Sequence, residues 1–259
     1  MKLAIIGAGK WGQALYHAYS QDNDVVIHSR TAREIENFVS LDEVLDREYL
    51  IMAIPAQFAR EWMEKNFEDR GQKILVAAKG IETSTGAFLN DIYGDFLEDD
   101  RLAFISGPSF AAEVKKSLPT ALMISSTNPQ LAQVYVDALP SFIKGYVDDD
   151  VVGAEVSGAY KNVIAIAGGV CDGLGLGNNA RAALISRGLV EMTRFGEAFG
   201  AKSETFLSLG GAGDLFLTAS STLSRNYRVG LGLAEGKNMD EILQELGEVA
   251  EGVPTAKAC

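Results

Sequence analysis

Three glycines near the amino terminus have the spacing of a phosphate-binding turn. Gly7, Gly9 and Gly12 follow a short apolar run, residues 2–6, and precede an amphipathic segment, residues 13–20. In this context the first glycine permits a tight turn, the second lets the backbone approach a pyrophosphate, and the third lets the helix pack closely against the strand. The N-terminus of the helix then faces the phosphates. The spacing predicts a dinucleotide site rather than a glycine-rich turn without a ligand.

The position at which such a site usually has an acidic residue is basic in this chain. An aspartate or glutamate about 20 residues after the turn commonly binds the ribose hydroxyls of the adenosine. The chain has Ser29 and Arg30 there instead. Arg30 could accept the 2′-phosphate of NADP, stack on the adenine, or be an ordinary solvated arginine. The choice between NAD and NADP stays open.

Histidine is the residue that most often transfers protons in enzymes, and this chain has only two. Lys161 is a candidate to do so instead. Residues 155–167 are mostly small and apolar, and none of the neighbours three and four positions away carries a carboxylate: Ser157, Gly158, Ile164 and Ala165. Burial disfavours the charged form of a lysine and lowers its pKa towards a value useful for acid–base catalysis. The alternative is a lysine at the edge of the helix that extends its ammonium group into water.

Further polar residues could bind an anionic ligand. Residues 224–226 combine a hydroxyl, a guanidinium fork and an amide, which suits a phosphate or a carboxylate, although a surface helix end would look the same. Asp214 follows a glycine-rich segment, residues 210–213, and would either cap a helix, bind a substrate hydroxyl or orient a lysine. Lys79 follows an apolar strand and would bring a cation to the ligand crevice at the carboxyl ends of parallel strands.

The elements that must position these residues fall into two groups. Up to about residue 148, apolar runs alternate with helix-like stretches, which is typical of βα units around a parallel sheet. The predicted strands are residues 2–6, 24–28, 49–53, 73–77, 102–105, 120–125 and 142–147. Beyond them the spacing is helical, with glycine-rich loops at residues 173–177 and 210–213. We predict an α/β Rossmann-like domain with a mainly parallel sheet over residues 1–148, followed by an all-α domain over residues 149–259.

Composition excludes several classes of protein. The 259 residues, 47% hydrophobic and 22% charged, are ordinary for one large or two smaller globular domains. A net charge of −12 disfavours general binding of nucleic acid. The apolar runs are too short for a bilayer, and no signal peptide is recognisable. The cysteines, Cys171 and Cys259, favour a reducing compartment, which predicts a cytoplasmic protein, and no metal-site spacing is present.

Together these motifs resemble the family of NAD(P)-dependent glycerol-3-phosphate dehydrogenases, particularly the bacterial form. The resemblance runs through nearly the whole chain, and the order and spacing of its motifs are highly specific. Besides the glycine turn, it is carried by residues 79–80, 106–111, 158–163, 179–181, 213–215, 224–226 and 251–255.

The resemblance implies an enzyme that interconverts dihydroxyacetone phosphate and sn-glycerol 3-phosphate with NAD or NADP, supplying the backbone of phospholipids. It implies that Lys161 gives the proton to the substrate carbonyl, with Lys79 and Asp214 as further catalytic residues. The substrate residues it implies are Lys79, Gly107, Ser109, Lys161, Asp214, Ser224, Arg225 and Asn226. The cofactor residues are Gly7, Gly9, Lys10, Trp11, Gly12, Arg30, Lys79, Ala111, Arg225, Val249 and Glu251. A homodimer is among the assemblies that it allows.

Two features depart from the family pattern. The segment between Arg30 and Tyr49 looks compressed, and the chain stops at Cys259, soon after a motif that family members usually follow with more helix. We therefore expect either a short variant or a helical domain that is incomplete at its C-terminus.

Two other functions fit the same two-domain plan. One is a β-hydroxyacid dehydrogenase, which also has a central lysine, and the other is a non-catalytic NAD(P)H-sensing module.

Overall fold

The computed structural model describes residues 1–258, which form two compact units. The first unit contains residues 1–78 and 89–151, and the second contains residues 79–88 and the chain from residue 152 onward. The sequence pattern predicts the change of architecture after residue 148. The structure differs from that division chiefly by including residues 79–88 in the helical unit.

Within the described chain, the first unit has a seven-stranded sheet in the order β2-β1-β3-β4-β5-β6-β7. Neighbouring strands are parallel except β5 and β6, which are antiparallel with Ile105 opposite Ile124. Every predicted strand is present, with ends that differ by a single residue at most. The strands are β1 (Lys2–Ile6), β2 (Asp24–His28), β3 (Tyr49–Met52), β4 (Lys73–Val76), β5 (Leu102–Ser106), β6 (Thr120–Ser125) and β7 (Ile143–Asp148).

Helices connect these strands and cover the apolar faces of the sheet. They are α1 (Lys10–Tyr19), α2 (Leu41–Leu45), α3 (Ala56–Asn66), α4 (Leu89–Gly94), α5 (Ala111–Val114) and α6 (Pro129–Asp137). The start of α6 follows from its sequence, because the side chain of Asn128 accepts a hydrogen bond from the amide of Leu131 and a proline occupies the first helical position. The core of the unit joins strand residues such as Ile5 and Ile51 to Leu15 of α1.

The second unit is helical, as the sequence predicts. Its helices are α7 (Val151–Gly173), α8 (Gly177–Ala198), α9 (Asp214–Ala219), α10 (Arg225–Ala234), α11 (Met239–Leu246) and α12 (Gly252–Ala258). The glycine-rich residues 210–213, predicted as a loop, instead belong to a π-helical turn, Leu209–Gly213, that leads directly into α9. Glycine is needed in this turn, since a Cβ on Gly211 would lie 2.3 Å from the carbonyl oxygen of Phe206.

Residues 79–88 join the helical unit because their apolar side chains are buried in its core. Ile81 and Phe88 are buried and pack in one cluster with Val156, Ala159 and Phe206. The predicted fold class, a Rossmann-like α/β domain followed by an all-α domain, is confirmed. Among residues 1–258, no helix has the length and apolar character needed to cross a membrane.

Candidate functional site

The glycine turn of the first unit leaves open space beside Gly9. Gly7 has a φ of +112°, which favours glycine, and a Cβ there would lie 2.5 Å from the carbonyl oxygen of Ala53. A Cβ on Gly12 would lie 1.8 Å from the carbonyl oxygen of Gly7. Gly9 has an ordinary extended backbone, and a Cβ there would meet no described atom within 4 Å. Packing explains the glycines at 7 and 12, whereas the space at Gly9 fits the close approach of a cofactor pyrophosphate.

Helix α1 begins at Lys10, three residues before the amphipathic segment recognised in the sequence. Apolar periodicity does not reveal its first turn, which contains Gly12 packed against the strand. In the part of the chain that is described, no side chain caps α1 and no acidic residue lies in its first turn. Its N-terminal dipole is thus not neutralised by protein, which suits an anionic ligand. The indole N–H of Trp11 donates a hydrogen bond to the carbonyl of Ala77 over 3.0 Å, which fixes that ring beside the turn.

The other predicted residues of the first unit follow the carboxyl ends of its strands. Arg30 is exposed after β2. Gly107 follows β5 with a φ of +110°, and the hydroxyl of Ser109 donates to its carbonyl oxygen over 3.1 Å. Ala111 is the first residue of α5. These loops and the glycine turn share the edge of the sheet at which open α/β folds bind ligands.

Asp214 in the second unit lies between two lysines. The Nζ of Lys79 is 2.8 Å from Oδ2 of Asp214, and the Nζ of Lys161 forms an ion pair with Oδ1. The hydroxyl of Thr218 donates to the same Oδ1 over 3.3 Å. Lys161 is only 6% exposed and Asp214 only 1% exposed. The alternative in which Lys161 extends into water is therefore wrong. The helix of Lys161 offers it no carboxylate, and Asp214 of α9 supplies one instead.

The alternative role of Asp214 as a helix cap is also wrong. The N-cap of α9 is Gly213, and Asp214 is the first helical residue. Its carboxylate is available to the lysines for that reason. The aliphatic part of Lys79 runs over Gly158, where a Cβ would lie 3.1 Å from the Cγ of Lys79. A small residue at this position of α7 lets Lys79 reach the carboxylate.

The cluster holds an acid–base group that titrates near neutrality. Burial lowers the pKa of Lys161 to about 7, against the attraction of Asp214, which raises it, while the nearby charge of Lys79 lowers it further. Burial acts to raise the pKa of Asp214, but the two lysines outweigh it and hold that pKa below its usual value. Asp214 is ionised, and Lys161 exchanges a proton near pH 7, which suits transfer of a proton to or from a substrate oxygen.

The start of α10 presents a cation between two buried polar residues. Ser224 is the N-cap, and its hydroxyl oxygen accepts a hydrogen bond from the amide of Tyr227 over 3.2 Å. The side chain of Arg225 is 41% exposed, and its Nη1 lies 3.6 Å from a carboxylate oxygen of Glu248. Such a loose and partly exposed ion pair contributes little to stability. The guanidinium group of Arg225 remains accessible to an anion from solvent.

Asn226 connects this helix end to the helix of Lys161. Its Nδ2 donates to Oδ1 of Asn162 over 2.9 Å, and its Oδ1 accepts from the amide of Gly252 over 2.9 Å. Asn162 is the residue after Lys161, so α7, α10 and the start of α12 meet at one buried amide. The structure thus brings Lys79, Lys161 and Asp214 into contact, and the Asn226–Asn162 hydrogen bond links the helices that carry Lys161 and Arg225 at positions adjacent to both residues.

The remaining predicted residues of the second unit lie between α11 and α12. Val249 is exposed there, and Glu251 directly precedes α12. Two side chains of the site are missing from the residues proposed from sequence, Asn162 and Glu248. Asn162 could have been found by its position beside Lys161, whereas the i, i+4 spacing of Asp214 and Thr218 already predicts that these two share one helical face. Glu248 carries no signal in the sequence that points to Arg225.

Comparison with known proteins identifies the family that carries this site. A model of the NAD-dependent glycerol-3-phosphate dehydrogenase N-terminus matches residues 34–132, and the corresponding C-terminus model matches residues 150–259. The chain is 62% identical over 258 residues to a glycerol-3-phosphate dehydrogenase (NAD(P)+) of a Nitratiruptor species, covering 100% of this chain and 86% of that relative. The chain belongs to the NAD-dependent glycerol-3-phosphate dehydrogenase family.

Other members of the glycerol-3-phosphate dehydrogenase family agree in sequence and in structure. A relative from Sulfurimonas denitrificans is 60% identical over 257 residues, covering 99% of this chain and 87% of its own length. The crystal structure of glycerol-3-phosphate dehydrogenase from Coxiella burnetii matches 99% of this chain and 87% of that one, with a TM-score of 0.90 and 34% identity. The family predicted from the motifs is confirmed, and the chain is an oxidoreductase.

Proposed function

We propose that this chain interconverts dihydroxyacetone phosphate and sn-glycerol 3-phosphate, using NAD or NADP. The observation that carries the proposal is the buried cluster in which Asp214 pairs with both Lys79 and Lys161. In this cluster Lys161 can supply a proton near neutral pH. The chain is also 62% identical to a relative named glycerol-3-phosphate dehydrogenase (NAD(P)+). A non-catalytic sensor of NAD(P)H would need no such cluster.

In this reaction Lys161 supplies the proton. When bound, NAD(P)H would supply the hydride that reduces carbon 2 of the ketone. The ammonium group of Lys161 donates its proton to the oxygen that becomes a hydroxyl, and the amine takes it back in the oxidation direction. Asp214 orients Lys161 through their ion pair and holds Lys79 beside it. Two ammonium groups and one carboxylate leave a positive charge that stabilises a developing alkoxide.

We assign the cofactor and substrate residues unit by unit. Residues 1–148, apart from residues 79–88, act as the dinucleotide-binding domain and also provide the substrate residues Gly107 and Ser109. Its cofactor residues are Gly7, Gly9, Lys10, Trp11, Gly12, Arg30 and Ala111. The helical domain, residues 149–259, together with Lys79, binds substrate through Lys79, Lys161, Asp214, Ser224, Arg225 and Asn226. Its cofactor residues are Arg225, Val249 and Glu251, again with Lys79.

One assay tests the reaction and separates it from its rivals. NADH and NADPH consumption is followed by absorbance with dihydroxyacetone phosphate, and the reverse reaction is followed with sn-glycerol 3-phosphate. Turnover of this pair, with none of 3-hydroxyisobutyrate or 6-phosphogluconate, supports the proposal. Oxidation of 3-hydroxyisobutyrate or 6-phosphogluconate in its place would identify a β-hydroxyacid dehydrogenase. Binding of NAD(P)H without its consumption, for every ketone phosphate tried, would favour a sensor.

Replacing Arg225 with alanine should chiefly weaken substrate binding. A guanidinium bonded to a phosphate is a charge-assisted pair, so its loss should raise KM for dihydroxyacetone phosphate by about 10–100-fold and change kcat less. Steady-state kinetics with saturating cofactor measure both constants. Arg187→Ala, at an exposed position of α8, serves as a control for the loss of one surface charge. An unchanged KM would show that Arg225 does not contact the substrate phosphate.

Replacing Arg30 with alanine should decide how the adenosine end of the cofactor is held. If Arg30 binds the 2′-phosphate, KM for NADPH rises by about tenfold while KM for NADH stays the same, because only NADPH carries that charge. Arg33→Ala, on the same exposed loop, is the matched control. Equal increases for both cofactors would indicate stacking on adenine instead. No change with either cofactor would indicate a solvated arginine.

Three further expectations accompany this function. We propose that the glycerol 3-phosphate is used for phospholipid synthesis, that the protein acts in the cytoplasm, and that it assembles as a homodimer. The location rests on the sparse cysteines, of which Cys171 is buried and unpaired in the described chain. Light scattering of the purified protein measures the oligomeric state directly, and cell fractionation tests the location.

A further inference from the structure

Asp172, at the carboxyl end of α7, holds two other helices. Its carboxylate accepts a hydrogen bond from the hydroxyl of Tyr227 on α10 and forms an ion pair with Nη1 of Arg181 on α8 at 2.7 Å. Burial acts to raise the pKa of Asp172, but the bonds from Tyr227 and Arg181 outweigh it and keep the carboxylate ionised at neutral pH. None of these three residues takes part in the chemistry proposed above.

Between these polar contacts, α7 and α10 cross with their backbones touching. A Cβ on Gly169 would lie 2.0 Å from the carbonyl oxygen of Tyr227, and a Cβ on Gly230 would lie 2.0 Å from the carbonyl oxygen of Ile166. Glycines at such a crossing set the distance between the helices. The glycines themselves add no side chain at the crossing. Apolar packing of Ile166 against the cluster that contains Val229, and polar bonds on either side of the crossing, hold α10 against α7.

Two neighbouring side chains of α10 are bonded to α7. Asn226 donates to Asn162, and Tyr227 donates to Asp172, and both α10 side chains are buried. Successive residues of an α-helix are separated by about 100° around its axis. Arg225 therefore points about 200° away from Tyr227, on the side of α10 that is turned from α7. Any rotation that breaks the Tyr227 bond moves the guanidinium group by the same angle.

We propose that Tyr227 and Asp172 are positioning residues for substrate affinity: their hydrogen bond fixes the rotation of α10 and so directs Arg225 towards the phosphate of the substrate. This inference rests on the proposed function, since it assumes that Arg225 binds that phosphate. It adds two residues that contact neither substrate nor cofactor. Arg181 supports them by fixing the orientation of the Asp172 carboxylate.

Tyr227→Phe tests the inference, because it removes one oxygen atom and leaves the ring to pack. Asp172→Asn is the second variant, which weakens the acceptor without changing its size. For both, we expect KM for dihydroxyacetone phosphate to rise by about tenfold, the effect of one hydrogen bond to a charged group. The kcat measured at saturating NADPH should stay within about twofold of the wild-type value, since no bond of the lysine cluster is lost.

The sharpest measurement uses dihydroxyacetone, which lacks the phosphate. At saturating NADPH, the kcat/KM for dihydroxyacetone should be the same for wild-type, Tyr227→Phe and Asp172→Asn proteins, because this substrate has no phosphate for Arg225 to bind. Tyr135→Phe is the matched control. The hydroxyl of this buried tyrosine in the first unit donates hydrogen bonds to the carbonyls of Leu50 and Lys73, which the variant loses. The variant should have a lower unfolding temperature, but an unchanged KM for dihydroxyacetone phosphate and an unchanged kcat/KM for dihydroxyacetone.

The possible results separate this inference from the proposed function. A wild-type protein that does not turn over dihydroxyacetone phosphate refutes the proposed function, and the inference is refuted with it. A wild-type protein that is active, with variants of unchanged KM and a lower unfolding temperature, shows that the Tyr227 bond is merely structural. Equal losses with dihydroxyacetone and its phosphate would also overturn the inference. Circular dichroism of each variant confirms that the comparison is made between folded proteins.

Discussion

Replacing Lys161 with alanine should lower kcat for reduction of dihydroxyacetone phosphate by about 10²–10⁴-fold, the range that general acid–base catalysis contributes. The variant removes the ammonium group that meets Asp214 and leaves the ion pair between Lys79 and Asp214 in place. Binding of NADPH should survive, because the glycine turn lies in the other unit. Steady-state kinetics and a fluorescence titration with NADPH measure the two effects separately.

Lys161→Arg is the control that separates proton transfer from charge. Arginine keeps a positive charge at this position, but its pKa is too high for it to exchange a proton near neutral pH. If Lys161 acts as the acid, the arginine variant stays nearly as slow as the alanine variant. Substantial recovery of kcat would show that charge alone suffices. Near-normal turnover of Lys161→Ala itself would remove Lys161 from the proposed role.

The sheet could be predicted from sequence because buried parallel strands are nearly continuous in hydrophobicity. The run Leu50, Ile51 and Met52 is fully buried in β3 and shows that continuity in the sequence. Residues 79–88 are harder to assign, since a short segment with isolated apolar residues does not show which core it joins. Only the packing of Ile81 and Phe88 assigns it to the helical unit.

The site was predictable as a set of residue types, and its contacts were not. The small apolar neighbours of Lys161 are compatible with a buried lysine and with one that extends into water, and the structure decides for burial. They give no indication that Asp214, from a different helix, supplies the missing carboxylate, because sequence spacing reports neighbours only within one element. The same limit hides the bond between Asn226 and Asn162. Contacts between distant parts of the chain follow from tertiary packing, which local periodicity does not encode.

Converting Asp214 to asparagine should cause the second large loss. The side chain keeps its size and one acceptor oxygen, but Lys79 and Lys161 lose the carboxylate between them. Breaking a buried ion pair by removing one partner typically costs about 3–5 kcal/mol, so the free energy of unfolding should fall by an amount of that order. The attraction of Asp214 raises the pKa of Lys161, whereas burial and Lys79 lower it. Without the carboxylate, that pKa should fall below its value of about 7.

The direction of the pH dependence follows from the role of each protonation state. Reduction needs the ammonium form of Lys161, so kcat/KM for dihydroxyacetone phosphate should fall as the pH rises through about 7. Oxidation of glycerol 3-phosphate needs the amine and should rise over the same interval. In Asp214→Asn both midpoints should move to lower pH. Reduction at neutral pH should then fall by about tenfold for each unit of the shift.

Thr218→Val is the matched control for the asparagine variant. It removes the hydroxyl that donates to Oδ1 of Asp214 over 3.3 Å but keeps the charge of the carboxylate, so both midpoints should stay near their wild-type positions. Profiles of kcat/KM across about pH 5–9, in both directions, measure the shift. If Asp214→Asn folds and keeps the wild-type midpoints, the carboxylate does not set the proton affinity of Lys161. The group that titrates in the reaction would then have to be a different one.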